Sequence, residues 1–443
     1  MQTLLRENRH TLKLALPIMT GQLGQMLLGL TDTLMIGRVG TVELAAAAFV
    51  NVLVHLVLVA GIGLAAAVSV QVSHAHGSKD SDATARHLRH GFWVAVIGGG
   101  IMAGLLAASP PVLSFLGQKE DVLALTPPYL RWVAASLLFY MPSMIIKNFA
   151  EARHHPWPVF WIMLSGVLLN VGFNTLLIFG KAGFPAMGIE GAGLATFLAR
   201  LLTFVGLWVY LRHSRHLRDG LPVRWLGRLD FSELKALFRI ATPITGQMSL
   251  EFGAFAASAL LIGFFGSVPL AAHQIAITCA ATTFMIPLGI SMAVSIRVGH
   301  SLGSGRRSRA RRIVFGAQGM ASAAMLLFAL IYLLAGGPIA DAFTPDPALA
   351  ALTVQLLAVT GIFQVFDGIQ IVSMGALRAF KDVHVPTGIL FFSYGVVGMP
   401  LGVYLAFARE MGALGLWLGL AGGLALAAAL LSLRLAKHLR ADQ

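Results

Sequence analysis

The stretch IGRVGTVELAA at 36–46 returns as IGFFGSVPLAA at 262–272, identical at seven of eleven positions and offset by 226 residues. Just downstream, GLAAAVSVQVSHAHG (63–77) returns as GISMAVSIRVGHSLG (289–303) at the same offset, identical at seven of fifteen. A register held without a gap across two apolar segments and their connection marks an internal duplication. Upstream, LPIMTGQ matches TPITGQ and sets Pro17 opposite Pro243.

The duplicated segments belong to a membrane chain. Of 443 residues, 57% are hydrophobic and only 12% charged, with a mean hydropathy of +0.79. Soluble domains carry about 25% charged residues. Apolar runs long enough to cross a ~30 Å hydrocarbon core recur along the chain. They predict twelve helices near 11–36, 45–72, 89–113, 126–148, 158–180, 188–211, 235–265, 270–297, 313–336, 349–376, 385–408 and 411–435. The fold class expected is therefore an all-α polytopic membrane protein of two six-helix bundles. They are an N-terminal lobe (1–211), a basic linker (212–234) and a C-terminal lobe (235–443). Six is even, so both halves enter the membrane in the same direction, and a pseudo-two-fold axis along the membrane normal follows. The first apolar run is long and shows no cleavage site, so no removable signal peptide is expected.

A net charge of +13 suggests nucleic acid until its distribution is read. Of the 32 Lys and Arg, 26 fall in even-numbered connections or near the termini. The odd connections hold only Arg38, Lys119, Lys181 and Arg409. This is the positive-inside pattern; it places both termini in the cytoplasm of a plasma (bacterial inner) membrane protein and removes nucleic acid as a partner. The densest clusters, HSLGSGRRSRARR (300–312) and LRHSRHLRDG (211–220), read first as topology signals, with phosphate or anionic-lipid contact as the alternative. Cys279, the single cysteine, cannot form an intramolecular disulfide and reads as a small packing residue.

Three carboxylates interrupt the apolar runs: Asp32, Glu251 and Asp367. A charge near the bilayer centre costs about 2.5–3.5 kcal/mol on insertion scales, so such groups persist where they bind an ion or proton or pair with a partner. They also break the repeat, because Asp32 faces Ser258 and Glu251 faces Gln25 at the common offset. Shared glycines (Gly37/Gly263, Gly63/Gly289) and His74/His300 follow it and read as scaffold. Near Asp32 the expected polar network is Asn170 and Asn174, one turn apart on one face, with Thr196 and Tyr140. Near Glu251 and Asp367 the candidates are Gln247, Gln274, Thr278 and Gln364, with Thr282 continuing the stripe. Interhelical hydrogen bonding alone would explain the amides and threonines, but not the charges.

With these residues in view, the chain resembles the multidrug and toxic compound extrusion (MATE) transporters, in particular their NorM-like branch. The likeness spans nearly the whole chain: twelve helices, duplicated halves, the TDTLMIGRVG segment, and acids on helices 1, 7 and 10 (Asp32, Glu251, Asp367). It implies two lobes around a central cavity and export of organic cations and multiple drugs against sodium or proton entry, without ATP. Asn174 stands where some relatives have a second first-lobe acid.

The chemistry of the residues agrees with that implication. Sodium prefers hard oxygen ligands, and a Glu251–Asp367 pair is suited to share a sodium ion or hold a proton. Met26, Met144, Met248, Met285 and Met292, with Phe252, Phe255 and Phe284, offer polarizable and cation–π surfaces to an organic cation. An enzyme is not expected, since HExxH, P-loop and DDxxD patterns are missing from the sequence. A flippase of lipid-linked or amphipathic substrates is the competing function; it calls for buried cations, for which Arg200 and Arg131 are the candidates. Pro17 and Pro243 are expected to bend their helices, each by removing a backbone donor.

Overall fold

The computed structural model describes residues 2–113, 115 and 118–440; residues 1 and 441–443, the outer ends of the two expected lobes, lie outside it. Twelve long helices carry the described chain. They are α1 (Gln2–Gly37), α2 (Thr41–Gly77), α3 (Ser81–Ala108), α4 (Glu120–Ala152), α5 (Pro156–Leu177) and α6 (Gly188–His213). After the linker come α7 (Phe231–Gly263), α8 (Ser267–Gly303), α9 (Arg307–Phe343), α10 (Pro347–Ala379), α11 (His384–Ala408) and α12 (Gly412–Arg440). Eleven are long and apolar enough to cross a membrane. The exception, α7, is diluted by Gly246, Gln247, Ser249, Glu251 and Ser258. Most helices outrun their apolar stretches because polar turns extend them at both ends.

Local chemistry fixes many boundaries. Asp80 caps α3 by accepting from Ala83 N at 2.8 Å, and Asp346 caps α10 by accepting from Ala348 N at 2.9 Å, with Pro347 in the first turn. The turn into α8 puts Gly266 at φ 108°, a conformation side chains resist. In α9 the helix is interrupted at Ala335 (φ −115°, ψ 15°), just before Gly336, Gly337 and Pro338. In α11 the turns widen to π geometry over Phe391–Gly398 and again over Tyr404–Ala408, flanking Pro400. Glycines let α11 and α12 touch backbone to backbone: a Cβ on Gly419 would strike the Gly402 backbone, and one on Gly415 would lie 2.5 Å from Ala406 N. Large side chains such as Leu334 (84% exposed) face outward, as lipid contact requires.

Two compact units result, Thr20–Thr245 and Met1–Met19 with Gly246–Gln443. In the first, α4 packs against α2, α3 and α6; in the second, α10 packs against α8, α9 and α12. These boundaries differ from the expected division at 212–234. The first part of α1 belongs with the C-terminal helices, and the first part of α7 with the N-terminal ones. Both exchange points, Met19/Thr20 and Thr245/Gly246, obey the 226-residue offset, and Pro17 and Pro243 each lie two residues before them.

Specific contacts cause the exchange. A Cβ on Gly63 of α2 would lie 3.0 Å from Ala241 O and Thr245 N of α7. A Cβ on Gly289 of α8 would lie 3.0 Å from Met19 Cα and N of α1. Glu7 and Glu233, also 226 apart, pin the starts of α1 and α7. Glu7 accepts from Arg309 Nε at 2.9 Å and from Arg297, which also donates to the Glu7 carbonyl at 2.7 Å and to Thr11. Glu233 pairs with Arg86 at 3.5 Å and His87 at 3.2 Å. Hydropathy cannot see such pairing, because it reads each helix alone.

A further ion pair predicts a pH dependence. Asp382, in the turn between α10 and α11, accepts from Arg434 Nε and His438 Nε2 of α12, both at 2.7 Å. Burial alone would raise its carboxyl pKa, but Arg434 and His438 outweigh burial and hold it below the ordinary 3.8. A depressed carboxylate adds stability above its unfolded pKa, and that stability is lost as pH falls through the folded value. Asp382→Asn should therefore lower the thermal midpoint at pH 7 and narrow the gap to wild type below about pH 4. A gap that stays constant across thermal scans from pH 7 to 3 would contradict this.

Candidate functional site

The first-unit cluster is built on α1, α4, α5 and α6. Asn170 and Asn174 lie one turn apart on α5 and are both fully buried. Asn174 Nδ2 donates to Asp32 Oδ1 at 2.5 Å and to Asn170 Oδ1 at 3.0 Å. This leaves Asn174 Oδ1 buried and without a donor among the described residues, beside a carboxylate. An ionised carboxylate and an unpartnered amide oxygen in one buried cluster are oxygen ligands of the kind that a proton or a hard cation would satisfy.

The other two residues expected here behave differently. Thr196 Oγ1 donates to Ala192 O of its own helix at 3.0 Å, the usual fate of a mid-helix hydroxyl in an apolar setting. Tyr140 lies under Arg200, whose guanidinium carbon is 4.5 Å from the ring centroid. Arg200 also donates to Ser136 Oγ at 2.8 Å, and its charge acts on Asp32. Asp32 thus has a fixed cation in its neighbourhood. Arg131, the other cation considered, sits 3.7 Å from Glu190 and is taken up there.

The second-unit cluster joins α7, α10 and α11. Glu251 Oε1 accepts from Gln370 Nε2 at 2.5 Å, and Gln370 Oε1 accepts from Tyr394 OH at 3.0 Å. Gln370 and Tyr394 are buried, so the relay is fixed by packing. Asp367 lies one turn before Gln370 on α10 and is close enough to Glu251 for the Glu251 charge to act on it. Its carboxylate makes no hydrogen bond or ion pair among the described residues, in contrast to Glu251. Arg378, half-buried near the end of α10, exerts the compensating positive charge on Glu251.

The remaining candidates point elsewhere. Gln247 is buried but spends its amide on the start of α11, donating to Val383 O at 3.0 Å and Thr387 Oγ1 at 3.1 Å. It also accepts from Arg378 at 3.2 Å, and so anchors that arginine rather than the acids. Gln364 ties α10 to α8 through Ala280 O (3.1 Å) and Thr283 Oγ1 (2.6 Å). Gln274 is exposed; Thr278 and Thr282 donate to their own helix at 2.7 and 2.8 Å. Phe255, Phe284 and Met292 pack on the core of their unit, which accounts for them as structural side chains. Gln370, Tyr394 and Arg378 were missed from sequence. The spacing of Gln370 three residues after Asp367 was the available signal, whereas Arg378 had been absorbed into the count of topology charges.

Comparison with known proteins agrees with this architecture. The MatE family model matches twice, over residues 17–176 and 243–404, in keeping with the duplication. "Probable multidrug resistance protein NorM" of Mesorhizobium japonicum is 35% identical, covering 99% of this chain and 95% of the relative. The same-named protein of Pseudomonas putida is 36% identical over 96% and 93%. Among solved structures, the Vibrio cholerae MATE transporter VcmN in its bent form aligns with a TM-score of 0.89 at 22% identity, covering 99% and 98% of the two chains. The eukaryotic MATE transporter AtDTX14 aligns at 0.86 and 20%, covering 99% of each. Two copies of one family model, placed on two units whose boundaries share the repeat's offset, assign this membrane protein to the MatE family.

Proposed function

We propose that the protein is a secondary antiporter that exports organic cations and multiple drugs, driven by entry of sodium or protons, with alternating access of its two halves. The carrying observation is that each unit holds a membrane-embedded carboxylate among oxygen-bearing side chains, and that Asp367 makes no hydrogen bond or ion pair among the described residues. A structural carboxylate would be paired, as Glu7 and Glu151 are; Lys147 lies 3.0 Å from Glu151. A coupling group must instead be able to exchange its cation.

In this reading Glu251 and Asp367 hold the coupling cation, Gln370 and Tyr394 orient Glu251, and Arg378 limits the net charge of the empty site. Asp32 with Asn170 and Asn174 forms a second site for a proton, a sodium ion or the cationic drug. No nucleotide takes part. The basic connections and both termini face the cytoplasm of the bacterial inner membrane. Flippase activity is disfavoured because Arg200 and Arg131 are held by Tyr140, Ser136 and Glu190, leaving neither poised for a pyrophosphate.

Counter-transport in proteoliposomes tests the proposal. Vesicles loaded with an organic cation should lose it faster when a sodium or pH gradient is imposed, and the two gradients applied separately identify the ion. Efflux indifferent to both would refute the antiporter. Within that assay Asp32→Asn should reduce driven efflux about ten-fold, the effect of roughly 1.4 kcal/mol of coupling. An unchanged rate would remove Asp32 from the pathway.

A further inference from the structure

An open cavity of about 600 Å³ lies outside both carboxylate clusters, between the start of α3 and the linker that precedes α7. Arg86 and Arg89 of α3 and Arg218 and Arg224 of the linker line it, against the carboxylates of Asp82 and Asp219. Not all of these charges are available. Arg86 pairs with Glu233, and Asp219 is held by Arg153 at 3.3 Å. The hydrogen bond from its own backbone and the Arg153 guanidinium keep the Asp219 carboxyl below the ordinary range, so it stays ionised and occupied.

The guanidiniums of Arg89, Arg218 and Arg224 make no hydrogen bond or ion pair among the described residues, and Arg89 Nε is buried in that state. A buried guanidinium N–H without an acceptor costs free energy that an anionic oxygen would recover. The α3 N-terminus does not supply this attraction, since Asp80 already caps it.

The surroundings narrow the anion to a lipid. Val223, which lines the cavity with the arginines, is fully exposed, and Leu226 and Phe231, on the chain that follows it, are each 78% exposed. Trp225 packs against Trp208 in a tilted arrangement and against Phe92 edge to face, at ring distances of 4.9 and 5.2 Å, and its carbonyl accepts from Trp93 Nε1 at 2.7 Å. Arg212 lies over the Trp208 and Trp225 rings at 5.1 and 5.7 Å. Tryptophans clustered at a helix end, with arginines and exposed aliphatics, are what the headgroup level of a membrane selects. A soluble phosphate has no use for the aliphatic edge.

We propose that this cavity binds the phosphodiester headgroup of an anionic phospholipid, with the acyl chains running over Val223, Leu226 and Phe231. The cytoplasmic orientation proposed above would put this lipid in the inner leaflet, and only that location rests on it. Binding is measurable in the purified full chain without transport, so the two readings succeed or fail separately.

The test titrates delipidated protein with dihexanoyl-phosphatidylglycerol, dihexanoyl-phosphatidylcholine and inorganic phosphate, following tryptophan fluorescence and heat. Phosphatidylglycerol should bind saturably, at least ten-fold more tightly than either other probe, and more weakly as salt rises. Each arginine lost should weaken binding roughly five-fold, so Arg89→Gln with Arg218→Gln and Arg224→Gln should weaken it about 100-fold. If that variant does not fold, Arg218→Gln with Arg224→Gln, both on the exposed linker, should still weaken it about 25-fold. The control pair Arg215→Gln with Arg228→Gln, which lies outside the cavity, should bind as wild type. Unchanged binding in the cavity variants would overturn the site, as would an equal loss in the control pair. Phosphatidylcholine or free phosphate matching phosphatidylglycerol would overturn its assignment to an anionic lipid.

Discussion

Asp367→Asn is expected to abolish ion-driven drug efflux while leaving the protein expressed and folded. The variant keeps the shape of the side chain and removes its charge. Because Asp367 makes no hydrogen bond or ion pair among the described residues, its loss breaks no contact that holds the fold. The effect should therefore fall on coupling alone, by about 100-fold, equivalent to roughly 2.7 kcal/mol. Glu251→Gln should have the same effect on transport but also a structural cost, since the Gln370 amide and the Tyr394 hydroxyl are arranged around a carboxylate. Tyr394→Phe separates these roles: it loosens Gln370 without touching either acid, so efflux should fall several-fold rather than vanish. Full driven efflux in both Asp367→Asn and Glu251→Gln would end the assignment.

The largest expected effect on stability is at Glu7. Its carboxylate answers two arginines, and Arg297 is buried with Glu7 and Thr11 as its hydrogen-bond partners among the described residues. Removing one partner of a buried pair costs about 3–5 kcal/mol, because the remaining charge is left uncompensated. Glu7→Ala should therefore destabilise the second unit strongly in thermal or denaturant unfolding in detergent. Combining it with Arg297→Met should recover most of the loss, since a buried pair replaced by apolar groups is often neutral. A loss below about 1 kcal/mol in the single variant would show that the pair is effectively solvated. Glu233, its counterpart in the repeat, has partners up to half exposed and should matter less.

The contrast between these two carboxylates shows what was legible in the sequence. The repeat revealed two equivalent halves, and the interruption of apolar runs singled out Asp32, Glu251 and Asp367. Both inferences need only chain position. The exchange of the first parts of α1 and α7 between units was not foreseen, although Glu7 and Glu233 carry the same offset as Pro17 and Pro243. Nothing in a single helix says which neighbour its end will pack against. Side-chain partners were harder still. Asn170 and Asn174 were found because their spacing fixes a shared face, and the structure places them with Asp32. Thr196 and Gln247 have the right chemistry, but one bonds its own helix and the other the start of α11. Arg378 escaped notice because an arginine near a basic helix end looks like a topology signal, whereas here it reaches inward.

Exchange requires that the drug and the coupling cation oppose each other's binding. Linkage makes the opposition reciprocal: the factor by which sodium or a proton weakens the drug equals the factor by which the drug weakens the ion. Neutralising Asp367 or Asp32 with a bound cation would withdraw the charge that attracts a cationic drug, and this can occur without a change of fold. The most direct measurement is equilibrium binding of ethidium to purified protein across separate sodium and pH titrations. The account predicts that affinity falls, by up to about 100-fold, as sodium rises or as pH drops, whichever ion couples. The same titration on Asp367→Asn should be flat or nearly so. Wild-type affinity that stays constant through both titrations would contradict cation-coupled exchange, whatever family the chain belongs to.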